Sequence, residues 1–178
     1  MTDLHLSIQR VGIEDLEILQ KISIQTFRET FETMNTPENM ESYIRDNLGI
    51  EQIKAELSNP DSAFYFAVQN LEIIGYLKLN FSGAQTELKD PEAIEIERIY
   101  VLKSLKGKGI GKVLLDQAIQ IGKNLNARYI WLGVWEHNNH AIGFYQKQGF
   151  VQFDKHTFTL GNDIQTDIMM KLEIGHAG

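Results

Sequence analysis

The fold of this chain is limited most strongly by a glycine-rich turn that joins a strand to a helix. Residues 93–102 alternate apolar and polar side chains, as a half-buried strand does, and after the turn at 106–111 apolar residues recur at helical spacing. Gly107, Gly109 and Gly111 allow successive backbone N–H groups to converge at the positive N-terminus of that helix. The sequence therefore predicts a strand, a diphosphate-binding turn and a helix in direct succession.

Two common nucleotide-binding loops do not fit this turn. A Walker loop needs Ser or Thr after its lysine, whereas Lys112 is followed by Val113. The dinucleotide fingerprint needs a third glycine or alanine where Lys112 stands. The predicted phosphate ligand must therefore be held by a different kind of loop.

The remaining periodicity predicts one α/β domain over residues 1–174, with about seven strands and four or five helices, and a disordered tail over 175–178. Strands are expected at 4–9, 63–68, 73–81, 93–102, 129–135, 151–159 and 164–172. Helices are expected from 13, at 37–47 and 51–57, after the glycine turn, and at 141–148. The first helix is expected to bury Ile13, and the helix after the turn to bury Val113. In the strand 93–102 the alternation slips by one residue at Glu97 and Arg98, which is typical of a β-bulge.

Composition and charge exclude several classes of protein. The 178 residues contain no cysteine, so disulfides, thiolate metal sites and cysteine nucleophiles are excluded. No apolar run reaches the roughly 20 residues of a membrane span, and the first residues lack the basic start of a signal peptide. We expect a cytoplasmic protein. The net charge of −7 disfavours nucleic acid as a partner. Residues 14–46 hold eight acids and three bases, whereas 98–112 hold five bases and no acid, which suggests two ligands of opposite charge.

Two segments resemble the GNAT acyltransferase family. Lys106-Gly107-Lys108-Gly109-Ile110-Gly111 is similar to the Gln/Arg-x-x-Gly-x-Gly/Ala turn that holds the acetyl-CoA pyrophosphate, although Lys106 lacks the forked donor of arginine. Residues 138–150 resemble the family's Asn-x-x-Ala-x-x-Phe-Tyr-x-Lys-x-Gly-Phe segment. The resemblance implies a mixed, mostly antiparallel central sheet with flanking helices. Segments 26–31, 35–40, 94–101, 130–136 and 165–167 are similar to bacterial spermidine/spermine N-acetyltransferases.

The resemblance implies an acetyl-CoA-dependent N-acetyltransferase in which a primary amine, expected to be a polyamine, attacks the thioester directly. Transfer to a protein N-terminus, a lysine or an aminoglycoside stays open, as does a regulator that binds acetyl-CoA without turnover. The implied contacts to acetyl-CoA come from the bulged strand, the glycine turn and the later helix: Ile99, Tyr100, Val101, Lys106, Gly107, Lys108, Gly109, Ile110, Gly111, Lys112, Asn138 and Lys147. Asn138 would also cap its helix, and Lys147 is equally consistent with a solvated helix lysine.

Two residues are candidates for proton transfer. An amine must be neutral to attack, and the departing thiolate needs a proton. The resemblance gives the second role to Tyr145, whose alternative is a packed helix tyrosine. Glu97 is interpreted either as a base acting through water or as an exposed strand carboxylate paired with Arg98.

The acceptor is expected near Trp135 and Glu136, which follow a buried strand at the end where open α/β sheets bind ligands. An aromatic ring and a carboxylate suit a cationic amine, although Trp135 is equally consistent with a core residue. Glu29 and Glu32 belong to the acidic segment, which could attract a polycation. No metal site is expected, because His137 and His140 lack carboxylate partners nearby. The expected partner is a small cationic amine, and a homodimer is one open arrangement.

Overall fold

The computed structural model describes residues 5–175 and contains a seven-stranded mixed sheet in the order β1-β2-β3-β4-β5-β7-β6. The strands are β1 (Leu6–Arg10), β2 (Ser62–Gln69), β3 (Glu72–Phe81), β4 (Ala93–Val101), β5 (Tyr129–Trp135), β6 (Val151–Leu160) and β7 (Asp163–Glu173). Only β4 and β5 pair in parallel, and the other neighbouring strands are antiparallel. The α/β architecture expected from the sequence is confirmed.

Five helices cover the two faces of the sheet: α1 (Leu16–Phe31), α2 (Pro37–Asn47), α3 (Ile50–Ser58), α4 (Ile110–Asn124) and α5 (Asn139–Lys147). On the α1–α3 face, Leu19, Met40 and Ile53 are buried against Phe64. On the α4–α5 face, the helices pack over the sheet in a separate apolar core that includes Leu114. Because side chains alternate along a strand, each strand contributes to both faces.

The strands β4 and β5 separate halfway along their length. β4 pairs with β5 only over Ala93–Ile96, opposite Tyr129–Leu132. Beyond this point β5 continues along β7, and β4 continues along β3. The β3 register shifts so that Lys78 faces Arg98 and Leu79 faces Ile96, which leaves Glu97 as the extra, bulged residue. The predicted bulge therefore lies where the sheet opens.

The turns and caps follow from local chemistry. Thr36 caps α2 by accepting a hydrogen bond from the Asn39 N–H at 3.1 Å, and Pro37 occupies the first turn. Asn70 and Leu71 both adopt positive φ in the two-residue turn between β2 and β3. Helices therefore begin, and strands reverse, close to the positions that the sequence predicts.

Two predicted core residues are wrong. Ile13 is 53% exposed because residues 13–15 form a separate 3₁₀ turn and α1 begins only at Leu16. Val113 is 37% exposed, and Leu115 is buried in its place beside Leu114. The wrong helix start explains Ile13, because a residue that precedes the helix does not follow its periodicity.

Both ends of the chain include residues that the structure does not describe. Leu4, expected in the first strand, and most of the predicted disordered tail lie outside the described residues. Gly175 is described, and its N–H donates to the Arg128 carbonyl at 2.8 Å. None of the helices within residues 5–175 is long and apolar enough to cross a membrane.

Candidate active site

A cavity of about 690 Å³ occupies the gap where β4 and β5 diverge. Its walls come from β4, β5, the glycine turn, the start of α5, and parts of α1, α2, β6 and β7. Two regions of it differ in chemistry. We call residues 106–112 together with Ile99–Val101 the turn side. We call Glu87, Glu95, Glu97, His156 and Asp167 the acidic side.

The turn side offers a row of backbone donors. Gly107 and Gly109 have φ of +81° and +82°, a conformation that glycine adopts without steric cost. Within the described chain, none of the N–H groups of residues 107–112 has a hydrogen-bond acceptor. They precede or open α4, whose dipole adds partial positive charge. This arrangement can hold a diphosphate.

The side chains of the turn offer a ligand fewer contacts than its backbone does. Ile110 is buried in the core, so only its backbone is available to a ligand. Lys112 forms an exposed ion pair with Asp116 at 2.9 Å. Most of the predicted turn residues line the cavity: Lys106, Gly107, Gly109, Ile110, Gly111 and Lys112. Lys108 is exposed and does not line it.

The bulged strand presents a free backbone edge. Ile99, Tyr100 and Val101 line the cavity and pair with β3 on one side only. Since β5 pairs with β4 only as far as Ile96, no described strand covers the opposite edge of these three residues. Alternate residues of a strand direct their N–H and C=O groups to each edge, so this edge can hydrogen-bond an extended ligand.

Tyr145 lines the cavity and is 8% exposed. Its ring packs edge-on against Phe150, with centroids 5.6 Å apart. Burial raises the pKa of the Tyr145 hydroxyl, which therefore remains protonated at neutral pH. Burial is the sole cause of this shift, with no contribution from a hydrogen bond to residues 5–175, so the hydroxyl is available to a ligand as a proton donor.

The helix that carries Tyr145 is capped as the sequence predicts. The Asn138 side chain accepts a hydrogen bond from the Ala141 N–H at 3.2 Å and also lines the cavity. Lys147 is exposed in the last turn of α5 and does not line the cavity.

Glu97 is held in an ion-paired network rather than exposed. Its carboxylate contacts the Lys78 ammonium and accepts a hydrogen bond from Asn80 at 3.1 Å. Arg98 instead pairs with Glu56 at 3.1 Å. Burial opposes ionisation of Glu97, but the positive charges of Arg98 and Lys78 outweigh it and lower its pKa. Glu97 is therefore a carboxylate whose affinity for a proton is reduced.

Three carboxylates of the acidic side were not identified from the sequence. Glu95 is 3% exposed, and its carboxylate accepts hydrogen bonds from Asn80 and from the Thr86 N–H at 2.9 and 2.8 Å. Burial raises its pKa. Asp167 is partly buried, which raises its pKa although His156 acts in the opposite direction. Glu87 extends from the loop between β3 and β4 to the same cavity.

The alternation of side chains could have revealed part of this set. Ile94 and Ile96 face the α4–α5 core, so Glu95 between them must face the opposite side of the sheet. A two-residue turn after Leu160 fixes His156 opposite Asp167 in the β6–β7 hairpin. No local signal in the sequence places Glu87 against these strands.

Of the four residues predicted to bind the acceptor, Trp135 alone lines the large cavity. Trp135 lines the cavity, with its ring edge-on to His137 at 5.1 Å. Glu136 lies just outside the lining. Glu29 accepts a hydrogen bond from the Lys103 N–H at 3.1 Å and so links α1 to the segment between β4 and the glycine turn. Glu32 borders a separate cavity of about 230 Å³ between α1 and α2.

Within residues 5–175, no group of three or more His, Asp or Glu side chains has an arrangement that could hold a metal ion.

Comparison with known proteins gives a family match and several relatives. The model of the Acetyltransferase (GNAT) family matches residues 22–150. An uncharacterised N-acetyltransferase from the pepI 3′ region of Lactobacillus delbrueckii subsp. lactis is 40% identical, covering 93% of this chain and 96% of its own length. The spermidine N(1)-acetyltransferase of Thermoplasma acidophilum is 30% identical, covering 82% of this chain and 88% of its own.

A solved structure is similar along nearly the whole chain. The crystal structure of the PaiA N-acetyltransferase from Thermoplasma acidophilum, in complex with coenzyme A, superposes with a TM-score of 0.78 at 26% identity. The match covers 96% of this chain and 99% of that one.

Proposed function

The chain belongs to the GNAT family of N-acetyltransferases, and on that premise we propose that it transfers acetyl from acetyl-CoA to a polyamine. The acidic side of the cavity is the observation that carries the choice of acceptor. Four carboxylates from two strands and a loop meet there, and a polyamine is a chain of positive charges that such a wall attracts.

Aromatic rings support the same acceptor. Phe27 stacks on Tyr43 with centroids 4.4 Å apart, and Phe158 meets Tyr43 edge-on at 6.1 Å. All three rings line the cavity on the α1–α3 face. Aromatic faces attract ammonium groups and accommodate the methylene segments between them.

The basic side chains that line the described cavity do not neutralise the acidic side. Lys106 and Lys112 belong to the turn side. The Arg98 guanidinium is occupied by Glu56, to which it donates hydrogen bonds at 3.1 and 3.2 Å. The positive charge is therefore directed to the diphosphate end, and the negative charge to the amine end.

We propose that acetyl-CoA lies along the turn side. The free N–H groups of residues 107–112 would hold its diphosphate, and the open edge of Ile99–Val101 would pair with its extended arm. The side chain of Lys106 would add charge at the same end, while Asn138 lies beside the path at the start of α5. The relative that was crystallised with coenzyme A supports this placement.

Tyr145 is proposed to protonate the departing thiolate, because its buried hydroxyl is protonated and lacks a partner in the described chain. The other proton must leave the ammonium before attack, since a lysine-like amine has a pKa of about 10.4 and is charged at neutral pH. Removal of that proton by Glu97 through water stays a prediction. The Glu97 carboxylate would then have to bind that water while it also contacts Lys78.

Release of free thiol from acetyl-CoA, detected with an aromatic disulfide reagent, tests the proposal. The panel contains spermidine, spermine, putrescine, lysine, an aminoglycoside and a peptide amine. The protein gives no background because it contains no cysteine. We expect selective release with spermidine or spermine.

Two other outcomes would contradict the proposed acceptor. Release only with the peptide or the aminoglycoside would retain the chemistry and reject the polyamine. Silence across the panel, with acetyl-CoA binding shown by calorimetry, would favour a regulator that binds without turnover. The cytoplasmic location and a homodimer stay predictions, and light scattering on the purified protein measures the second.

A further inference from the structure

We propose that His156 accepts the proton of the acceptor ammonium, with Glu87 and Asp167 holding the imidazole on either side. The inference deepens the proposed function at the same cavity, and it requires an amine acceptor but not a polyamine in particular. It rests on the position of His156, on the contacts of its two nitrogens, and on the absence of a side chain at Gly133.

The sheet brings the imidazole to the cavity. His156 pairs with Asp167 across the β6–β7 hairpin, and Asp167 in turn pairs with Trp135 of β5. His156, Asp167 and Trp135 all line the cavity. A Cβ atom at Gly133 would lie 3.2 Å from the His156 Cε1, tighter than most real contacts, so the glycine makes room for the ring over β5.

Both nitrogens of the ring face carboxylates at slightly more than ordinary hydrogen-bond distance. Nε2 lies 3.5 Å from Asp167 Oδ2, and Nδ1 lies 3.8 Å from Glu87 Oε1. Nδ1 is buried and has no hydrogen-bond partner among the described residues. Glu87 is 43% exposed, so a movement of less than an ångström by its side chain would give Nδ1–H its acceptor.

That tautomer leaves the Nε2 lone pair as the proton acceptor beside Asp167. Asp167 would hold the ammonium, Nε2 would take one proton, and the resulting imidazolium would lie between two carboxylates. An imidazole can both accept and release a proton, as a base that must recycle at each turnover has to do. The carboxylates beside the ring are Glu87 from the loop and Asp167 from β7, and Gly133 of β5 leaves room for it.

The reaction balances with this base. The ammonium gives one proton to Nε2, and the neutral amine forms a C–N bond to the acetyl carbon. The C–S bond then breaks, and Tyr145 protonates the thiolate. The nitrogen releases a second proton, which restores the tyrosine, and His156 returns its proton to solvent. The products are the N-acetylamine, free thiol and one proton.

Comparison of His156→Gln with Glu97→Gln on two amines tests the assignment. One acceptor is the best alkylamine of the panel, and the other is a fluorinated ethylamine that is already neutral at neutral pH. We expect His156→Gln to lower kcat/KM by about 100-fold on the alkylamine, with much less loss on the fluorinated amine. His5→Gln, at an exposed position outside the cavity, is the matched control. Thermal unfolding of each variant shows whether the fold is retained.

The pattern of losses decides between the two bases. A loss confined to the alkylamine in Glu97→Gln, and not in His156→Gln, would overturn the proposal. So would equal losses on both amines in His156→Gln, because a structural role affects every acceptor. If polyamines fail as acceptors but another amine is used, the same comparison on that amine still tests His156. An NMR titration that finds the His156 ring protonated well above neutral pH would reject it without any turnover measurement.

Discussion

The turn side and the acidic side of the cavity are built in opposite ways. The turn side is largely one contiguous stretch, 106–112, and its donors are backbone N–H groups, which every residue except proline supplies. The acidic side gathers Glu87 from a loop, Glu95 and Glu97 from β4, His156 from β6 and Asp167 from β7. Backbone chemistry depends on conformation, whereas the acidic side depends on the identity and charge of each side chain. We therefore expect substitutions on the two sides to have separable effects.

Removal of the Tyr145 hydroxyl should give the largest effect, because its proposed role is to protonate the departing thiolate itself. We expect Tyr145→Phe to lower kcat by about 100-fold, with nearly unchanged affinity for acetyl-CoA by calorimetry. Tyr65→Phe, at a tyrosine outside the cavity, is the control. A collapse of acetyl-CoA affinity with normal turnover at saturation would show that the hydroxyl binds rather than reacts.

The pH dependence of the same step has a defined direction. Because burial raises the pKa of Tyr145, the proton donor should remain protonated past the ordinary tyrosine pKa of about 10. Turnover at saturation should therefore show no loss from this group as the pH rises from neutral to alkaline. An alkaline decline below that pH that disappears in Tyr145→Phe would contradict the assignment.

A side chain at Gly109 tests the conformation of the turn side. A branched residue at φ +82° costs about 1–3 kcal/mol, and about 1.4 kcal/mol corresponds to tenfold in affinity. We expect Gly109→Val to weaken acetyl-CoA binding by roughly tenfold, without a change in preference among acceptors. Gly143→Ala has no positive φ and no atom within 4 Å of the added Cβ, so it should bind normally. Equal losses in both variants would mean that the left-handed conformation is unimportant.

Glu95→Gln tests the charge of the acidic side while preserving shape. We expect the KM for the polyamine to rise several-fold, with acetyl-CoA affinity unchanged. The raised pKa of Glu95 also gives a stability prediction, because the folded state keeps a proton that the unfolded chain releases as the pH rises past the ordinary Glu range. Its contribution is present at acid pH and is lost as the pH rises through the folded-state pKa.

Urea unfolding at several pH values should show a smaller decline toward neutral pH in Glu95→Gln than in the parent. An unchanged KM for the acceptor would remove Glu95 from the amine-binding wall.

Lys106→Ala should have the smallest effect, since an exposed lysine adds charge but no fixed geometry. We expect acetyl-CoA affinity to fall about threefold at low salt, and this difference to shrink as salt is added. Lys123→Ala, exposed in the last turn of α4, controls for net charge. A loss that does not respond to salt would indicate a direct, desolvated contact instead.

The turn side could be predicted from the sequence because it depends on residues that are close together along the chain. The strand, the alternating glycines and the helix of the turn side follow each other along the chain, so their spacing alone predicts the donor array. The bulge at Glu97 was also predictable, because a register slip changes the alternation of Ile96 and Ile99 within a single strand. The caps at Thr36 and Asn138 depend on contacts three residues away.

The acidic side could not be predicted, because its residues come together only in the tertiary structure. Glu29 and Glu32 belong to the acidic segment of the sequence but do not line the large cavity. Glu87 reaches the cavity from a loop, and no sequence pattern indicates this. Lys78, from the neighbouring strand β3, adds to Arg98 in lowering the pKa of Glu97. Electrostatic interactions depend on distance and burial in space rather than on separation along the chain. The sequence by itself therefore determined the fold and the turn that can hold a diphosphate, and only the packed sheet determined which carboxylates and which imidazole line the cavity.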